Sequence, residues 1–122
     1  MGATLTAIGL IYFIWNPTDQ TVIVGWTTDL KRRLAKHQRP IAARLVVLQV
    51  VNGVSKQREH WLHRKLAARG HCIAECGNDV YSFGGSRMVT EHKVRELADL
   101  VGREQQWDDE REQQTFRFGE VA

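Results

Sequence analysis

The sequence predicts an α+β fold in which a small three-stranded, mainly antiparallel sheet is flanked by helices. Two apolar runs rich in β-branched and aromatic residues, Ile8 to Trp15 and Val22 to Trp26, alternate with the period of two that is typical of strands. After Gly25 the apolar spacing becomes helical. A third apolar run, residues 44–52, has Val and Leu on both faces, as expected of a buried central strand.

The first two strands are predicted to form an antiparallel hairpin, because the sequence NPTDQ at residues 16–20 is turn chemistry. The helix that follows has three candidate N-caps and is expected to stop at Pro40. The candidate caps are Thr27, Thr28 and Asp29.

One stripe of this first helix carries charge on the side expected to pack on the hairpin. At about 100° per residue, Leu30, Leu34, Arg33 and His37 fall together. Burying a guanidinium is costly unless an anion meets it. Arg33 therefore requires either an internal carboxylate or a bound anion.

A second helix is predicted from the N-cap Ser55 to Arg69, after a strand that Gly53 closes. Its buried stripe contains Leu62 and Leu66, and Glu59 lies at nearly the same angle.

Two interpretations of these opposed charges stay open. Arg33 and Glu59 form an internal ion pair, or Glu59 holds a metal while Arg33 holds a phosphate.

The chain is expected to be one domain, because 122 residues with 43% hydrophobic content supply a single core. Residues 1–84 form its predicted core. Residues 85–122 are predicted to form a C-terminal helix and a polar tail that packs on, or extends from, the same domain. Residues 80–83 are predicted as a short strand or extended segment, and Thr90 as the cap of the last helix. Its apolar stripe contains Val94, Leu97, Ala98 and Val101.

Composition favours a cytoplasmic protein. No segment approaches the roughly 18 apolar residues of a membrane span, and the first residues lack the basic region of a signal peptide. Cys72 and Cys76 would then be reduced thiols, although with His63 they also suggest a structural zinc site, a less favoured alternative.

The net charge of +3 is unevenly distributed. Residues 1–70 carry eleven Lys and Arg against three Asp and Glu, whereas the remaining residues carry six against eleven. The positive charge lies mostly on the two predicted helices. This positive charge fits either a surface that contacts the phosphate backbone of a nucleic acid or two helix faces that are simply exposed to solvent.

The order and spacing of four motifs resemble the GIY-YIG nuclease family. Leu10-Ile11-Tyr12 stands at the GIY motif and Ile23-Val24-Gly25 at the YIG motif, with ten residues between the tripeptides. Arg33 follows Gly25 by eight residues, the spacing of the family's catalytic arginine. The segment from Glu59 to His63 (EHWLH) resembles the one that begins with the metal-binding glutamate. The resemblance covers residues 8 to about 83.

This resemblance implies metal-dependent hydrolysis of phosphodiester bonds in DNA. Glu59 would bind Mg²⁺ or Mn²⁺, and Arg33 would neutralise charge on the phosphoryl oxygens. Tyr12, aided by His37, would orient or deprotonate the attacking water. Ile23 stands where the family has a second tyrosine, so the role of that hydroxyl has no counterpart here.

The outer face of the first helix is expected to contact the nucleic-acid backbone through Lys31, Arg32 and Lys36. Trp61 and His63, beside the expected site, are the further nucleic-acid-binding candidates. DNA is the expected partner, with RNA left open and no membrane. The alternatives are a catalytically silent module that binds nucleic acid, a protein that binds another protein, and a homodimer or larger assembly.

Overall fold

The computed structural model describes residues 8–68, 80–84 and 86–103, and the α+β fold class is confirmed. Four strands form one antiparallel sheet in the order β3-β1-β2-β4. The strands are β1 (Ile8–Asn16), β2 (Thr21–Thr27), β3 (Val46–Ser55) and β4 (Val80–Tyr81). The helices are α1 (Leu30–Gln38), α2 (Lys56–Ala68) and α3 (residues 87–103 of the described chain). β4 adds a fourth strand to the three expected, within the segment predicted to be extended.

The side chains of β1 alternate between two cores, one on each face of the sheet. Ile11 and Phe13 pack in a cluster with α2 and α3, whereas Tyr12 and Ile14 pack in a smaller cluster on the side of α1. The stripe predicted for α2 is confirmed, since Leu62 and Leu66 are fully buried in the first cluster. Burial of a leucine of this kind contributes about 1.5–3 kcal/mol. The larger core therefore anchors α2 firmly to the sheet.

The β1–β2 hairpin forms as predicted and places Tyr12 opposite Gly25. A Cβ atom at Gly25 would overlap the Tyr12 hydroxyl and ring. Only glycine therefore lets the tyrosine ring lie across β2 at this point.

Gly53 does not end β3, so that prediction is wrong. The β1–β3 register shifts between Gly9 and Leu10, which pair with Val54 and Asn52, and Gly53 is left between them with a φ of 73°. Glycine adopts this backbone conformation easily, so it forms a bulge and the strand continues to Ser55.

Thr90 does not cap α3, and that prediction is also wrong. Ser86 caps the helix: its Oγ accepts a hydrogen bond from the Val89 N–H at 3.2 Å, and its carbonyl accepts one from the Thr90 N–H at 3.0 Å. Thr90 lies within α3, after its first residues, and is fully buried. The predicted apolar stripe is confirmed as buried, with Val94, Leu97, Ala98 and Val101.

Several sequence predictions lie outside the described residues: the end of α2 at Arg69, the loop over residues 71–79 and the tail beyond residue 103. Across the described ranges, no helix combines the length and apolar character needed to cross a membrane.

Candidate functional site

The boundaries of α1 follow from its caps. Asp29, one of the three predicted N-caps, accepts a hydrogen bond from the Arg32 N–H at 3.1 Å through its side chain. Arg39 is the C-cap, and the helix therefore ends before Pro40 as expected. These caps fix where α1 begins and ends, and the packing of Leu30 and Leu34 against the smaller core sets which side of the helix faces the sheet.

The predicted burial of that stripe needs correction, because no residue of α1 is buried. Leu30 and Leu34 are only partly buried against the smaller core, and Arg33 and His37 are half-buried beside them. A nine-residue helix over so small a core leaves its polar side chains at the margin. Arg33 is thus accessible to a ligand and not enclosed.

Tyr12 and His37 are in direct contact. The Tyr12 hydroxyl lies 3.0 Å from His37 Nε2, and the two rings are tilted by 57° with their centroids 5.8 Å apart. Tyr12 is almost completely buried, and His37 is half-buried. A proton can pass between these two atoms, with the direction set by the imidazole tautomer.

Arg33 lies one turn before His37, and within the described chain its guanidinium has no hydrogen bond or ion pair. It lines a cleft of about 480 Å³ between the end of β2 and α1. Among the described residues that line it, the sole carboxylate belongs to Asp29, which already caps the helix. The cleft combines four cationic side chains with two threonines, and this set suits phosphate oxygens. Its lining residues are Thr27, Thr28, Asp29, Arg32, Arg33, Lys36 and Arg39.

Glu59 pairs with His63 and not with Arg33. Glu59 Oε1 lies 3.5 Å from His63 Nε2, and the two side chains are only 13% and 18% exposed. His63 Nδ1 is in turn hydrogen-bonded to the Tyr81 hydroxyl. The internal Arg33–Glu59 ion pair, which the sequence left open, does not occur among the described residues.

The helices that carry Arg33 and Glu59 nevertheless begin at the same end of the sheet. Thr27 at the end of β2 pairs with Leu10, and Ser55 at the end of β3 pairs with Ile8. Each strand leads into a helix there, and Glu59 lies in the first turn of α2. Arg33 likewise belongs to the first turn of α1.

The two groups of polar residues approach this end from opposite faces. Tyr12 belongs to the core on the side of α1, and Tyr81 to the core on the side of α2. The structure therefore brings Tyr12 and His37 together next to Arg33, and separately joins Glu59 to His63 and Tyr81.

Glu59 suits a hard divalent ion better than a zinc ion. The described residues contain no cluster of three or more metal-ligating side chains. Mg²⁺ tolerates this, because it keeps several waters and commonly takes only one or two carboxylates from the protein. A structural zinc requires four protein ligands, and two of those suggested, Cys72 and Cys76, lie outside the described residues.

The remaining predicted nucleic-acid contacts lie on the two helices. Lys31, Arg32 and Lys36 are exposed on α1. The Trp61 ring, in contrast, is already in contact with cations: Arg58 Cζ is 5.0 Å and Lys65 Nζ 5.7 Å from its centroid. A nucleobase that stacked on this ring would have to displace them.

Sequence reasoning missed Tyr81, which it treated only as part of an extended segment. Its contact with His63 spans 18 residues, most of them in a polar segment without a periodic pattern. The available signal was strand alternation, which points Tyr81 and Phe83 to one face. Arg39 was also missed as part of the cationic cleft, because it lies beyond the last residue of α1.

A family model described as the T5orf172 domain matches residues 9–109. Among curated proteins and solved structures, none matches the chain. The family match covers the four strands, apart from the first residue of β1, and all the candidate site residues.

Proposed function

This chain belongs to the T5orf172 domain family, and from that premise we propose that it is a metal-dependent endonuclease of the GIY-YIG type that hydrolyses phosphodiester bonds in DNA. The family is nuclease-associated. The observation that carries the proposal is the contact between the Tyr12 hydroxyl and His37 Nε2, one helical turn from Arg33, whose guanidinium has no anionic partner among the described residues.

Tyr12 and His37 would act as the base. A tyrosine hydroxyl ordinarily keeps its proton at neutral pH, so Tyr12 needs an acceptor before it can take a proton from water. His37 Nε2, 3.0 Å away, would receive the Tyr12 proton as Tyr12 takes one from the attacking water. The ring of Tyr12 is held over Gly25, so its oxygen occupies a fixed position.

Arg33 would bind the scissile phosphate. Its planar guanidinium can donate two parallel hydrogen bonds to phosphoryl oxygens, and it stabilises the negative charge that grows on them in the transition state. The neighbouring Arg32, Lys36 and Arg39 would hold adjacent phosphates, which gives binding that weakens with salt and carries little sequence preference.

Glu59 would hold Mg²⁺ or Mn²⁺ at the end of the sheet shared by α1 and α2. When bound, such an ion supplies charge stabilisation at the phosphoryl oxygens and at the leaving group. In the described chain β4 pairs only with Val22 and Ile23. We place the phosphate beside the remaining, later part of β2, where Arg33 and Glu59 would reach it from opposite faces.

The position of Ile23 favours a second candidate function, a catalytically silent module that binds nucleic acid. Ile23 is 7% exposed and packs with Tyr12 in the smaller core. An apolar side chain there supplies none of the chemistry of the second tyrosine in the GIY-YIG family. Such a module would retain the cationic cleft and bind DNA without cutting it.

A nicking assay on supercoiled plasmid separates the two functions. We expect the wild-type chain to produce open circles with Mg²⁺ or Mn²⁺ and none with EDTA. One site hydrolyses one strand, so linear product should follow only later or require a dimer. Glu59→Gln, which keeps the size of the side chain, should abolish nicking and retain DNA binding. Salt-sensitive binding by the wild-type chain without any nicking would instead identify the silent module.

The same assay with RNA tests whether DNA is the preferred substrate. Duplex and single-stranded RNA of matched sequence should be cleaved more slowly than DNA under the same conditions. Faster cleavage of RNA would contradict the assignment of DNA as substrate while leaving the metal-dependent chemistry intact.

A further inference from the structure

Three side chains on the α2 side of the sheet form a connected series that ends at Glu59. Tyr81 bonds through its hydroxyl to His63 Nδ1, and the two rings are stacked at 26° with centroids 5.5 Å apart. The opposite ring nitrogen, His63 Nε2, lies 3.5 Å from Glu59 Oε1. Both nitrogens of one imidazole are therefore directed at a neighbour.

The anchor of this series is a buried tyrosine on a strand of the sheet. Tyr81 is 1% exposed and belongs to the larger core, and its strand β4 pairs with β2 at Val22. Glu59 and His63 lie one turn apart on α2. The hydroxyl position is thus set by the sheet, whereas the carboxylate is carried by a helix packed on that sheet.

The hydrogen-bond chemistry gives the series a direction. If the phenolic O–H of Tyr81 donates to His63 Nδ1, the neutral imidazole carries its own hydrogen on Nε2, and this one assignment suits all three groups. This N–H faces the Glu59 carboxylate. At 3.5 Å the contact is electrostatic and longer than a hydrogen bond, and Glu59 Oε2 has no partner among the described residues.

We infer that Tyr81, acting through His63, positions the Glu59 carboxylate for a divalent cation. This inference rests on the proposed function, since the cation belongs to it. His63 would hold one carboxylate oxygen and leave the other available to the ion. Tyr81 fixes the imidazole ring and its tautomer. Side chains that do not touch the metal but hold one of its ligands in place commonly contribute 10- to 100-fold to metal affinity.

Tyr81→Phe tests the inference, because it retains the ring that fills the core and removes only the hydroxyl. We expect its affinity for Mn²⁺, measured by electron paramagnetic resonance without DNA, to fall about 10- to 100-fold. Nicking should recover at saturating Mn²⁺, so the defect appears in the metal dependence and not in the maximal rate. Tyr12→Phe is the matched control: it also loses a buried tyrosine hydroxyl, but should bind Mn²⁺ like the wild type.

A double-mutant cycle with His63→Gln shows whether Tyr81 acts through His63. If it does, Tyr81→Phe should lower the Mn²⁺ affinity no further in the His63→Gln background. Independent, additive losses would overturn the series, and wild-type affinity in Tyr81→Phe would overturn the inference while leaving the proposed function intact. Absence of Mn²⁺ binding by the wild-type chain would overturn the inference, and absence of metal-dependent nicking as well would overturn the proposed function. If Tyr81→Phe does not fold, His63→Gln with unchanged Mn²⁺ affinity would overturn the inference alone.

Discussion

Arg33→Ala is expected to nick plasmid DNA about 100- to 1,000-fold more slowly than the wild-type chain. The guanidinium has no internal partner in the described chain, so its removal leaves no unpaired carboxylate behind and should not unfold α1. Most of the loss should lie in the maximal rate measured at saturating DNA, because the charge that Arg33 stabilises grows in the transition state.

Arg32→Ala is the matched control for this prediction. Arg32 is the next residue of the same helix and lines the same cleft, but it is exposed. Its removal should weaken DNA binding and reduce the salt dependence of binding by about one unit, with little effect on the saturated rate. If the nicking rates of the two variants fall equally and both recover at high DNA concentration, Arg33 is only one of several contacts with the DNA backbone, and this prediction is contradicted.

Tyr12→Phe is expected to lower the nicking rate about 100- to 10,000-fold, the range typical of a lost general base. The phenylalanine ring can still lie over Gly25, so the fold should be retained and the melting temperature should change little. The variant should bind DNA and Mn²⁺ as the wild type does. Single-turnover nicking at saturating DNA and Mn²⁺ measures the effect on the chemical step.

His37→Ala provides the second half of this test. If Tyr12 passes its proton to His37, the double variant should be scarcely slower than Tyr12→Phe alone. Wild-type nicking by Tyr12→Phe would remove the hydroxyl from the mechanism. Multiplied losses in the double variant would show that the two residues contribute independently.

Local sequence patterns predicted the parts of the fold that depend on neighbouring residues. The hairpin, the N-cap Asp29 and the buried pair Leu62 and Leu66 all follow from alternation, capping chemistry or helical periodicity. Gly53 was misjudged because a strand end and a β-bulge both require a glycine of positive φ. The choice between them depends on the register with β1, which the local sequence does not contain.

The site was predicted less completely, because its contacts join distant parts of the chain. The helical stripe correctly placed His37 on the side of the hairpin, where it meets Tyr12 across 25 residues. How deeply the side chains of that stripe are buried could not be predicted, since their burial depends on how large a core forms beneath α1. The bond between His63 and Tyr81 depends on the pairing of β4 with β2 and was therefore missed entirely.

The central claim is that Glu59 and the pair Tyr12 and His37, which belong to opposite faces of the sheet, serve one phosphate. Paramagnetic relaxation by Mn²⁺ tests it directly, because the effect falls steeply with the distance between the ion and a proton. In the chain bound to a short DNA duplex, with Mg²⁺ as the diamagnetic reference, Mn²⁺ should broaden the ring resonances of both His63 and His37. The effect should vanish in Glu59→Gln. Broadening confined to His63 would show that the ion lies too far from Tyr12 for a shared site, and would contradict the proposed nuclease centre.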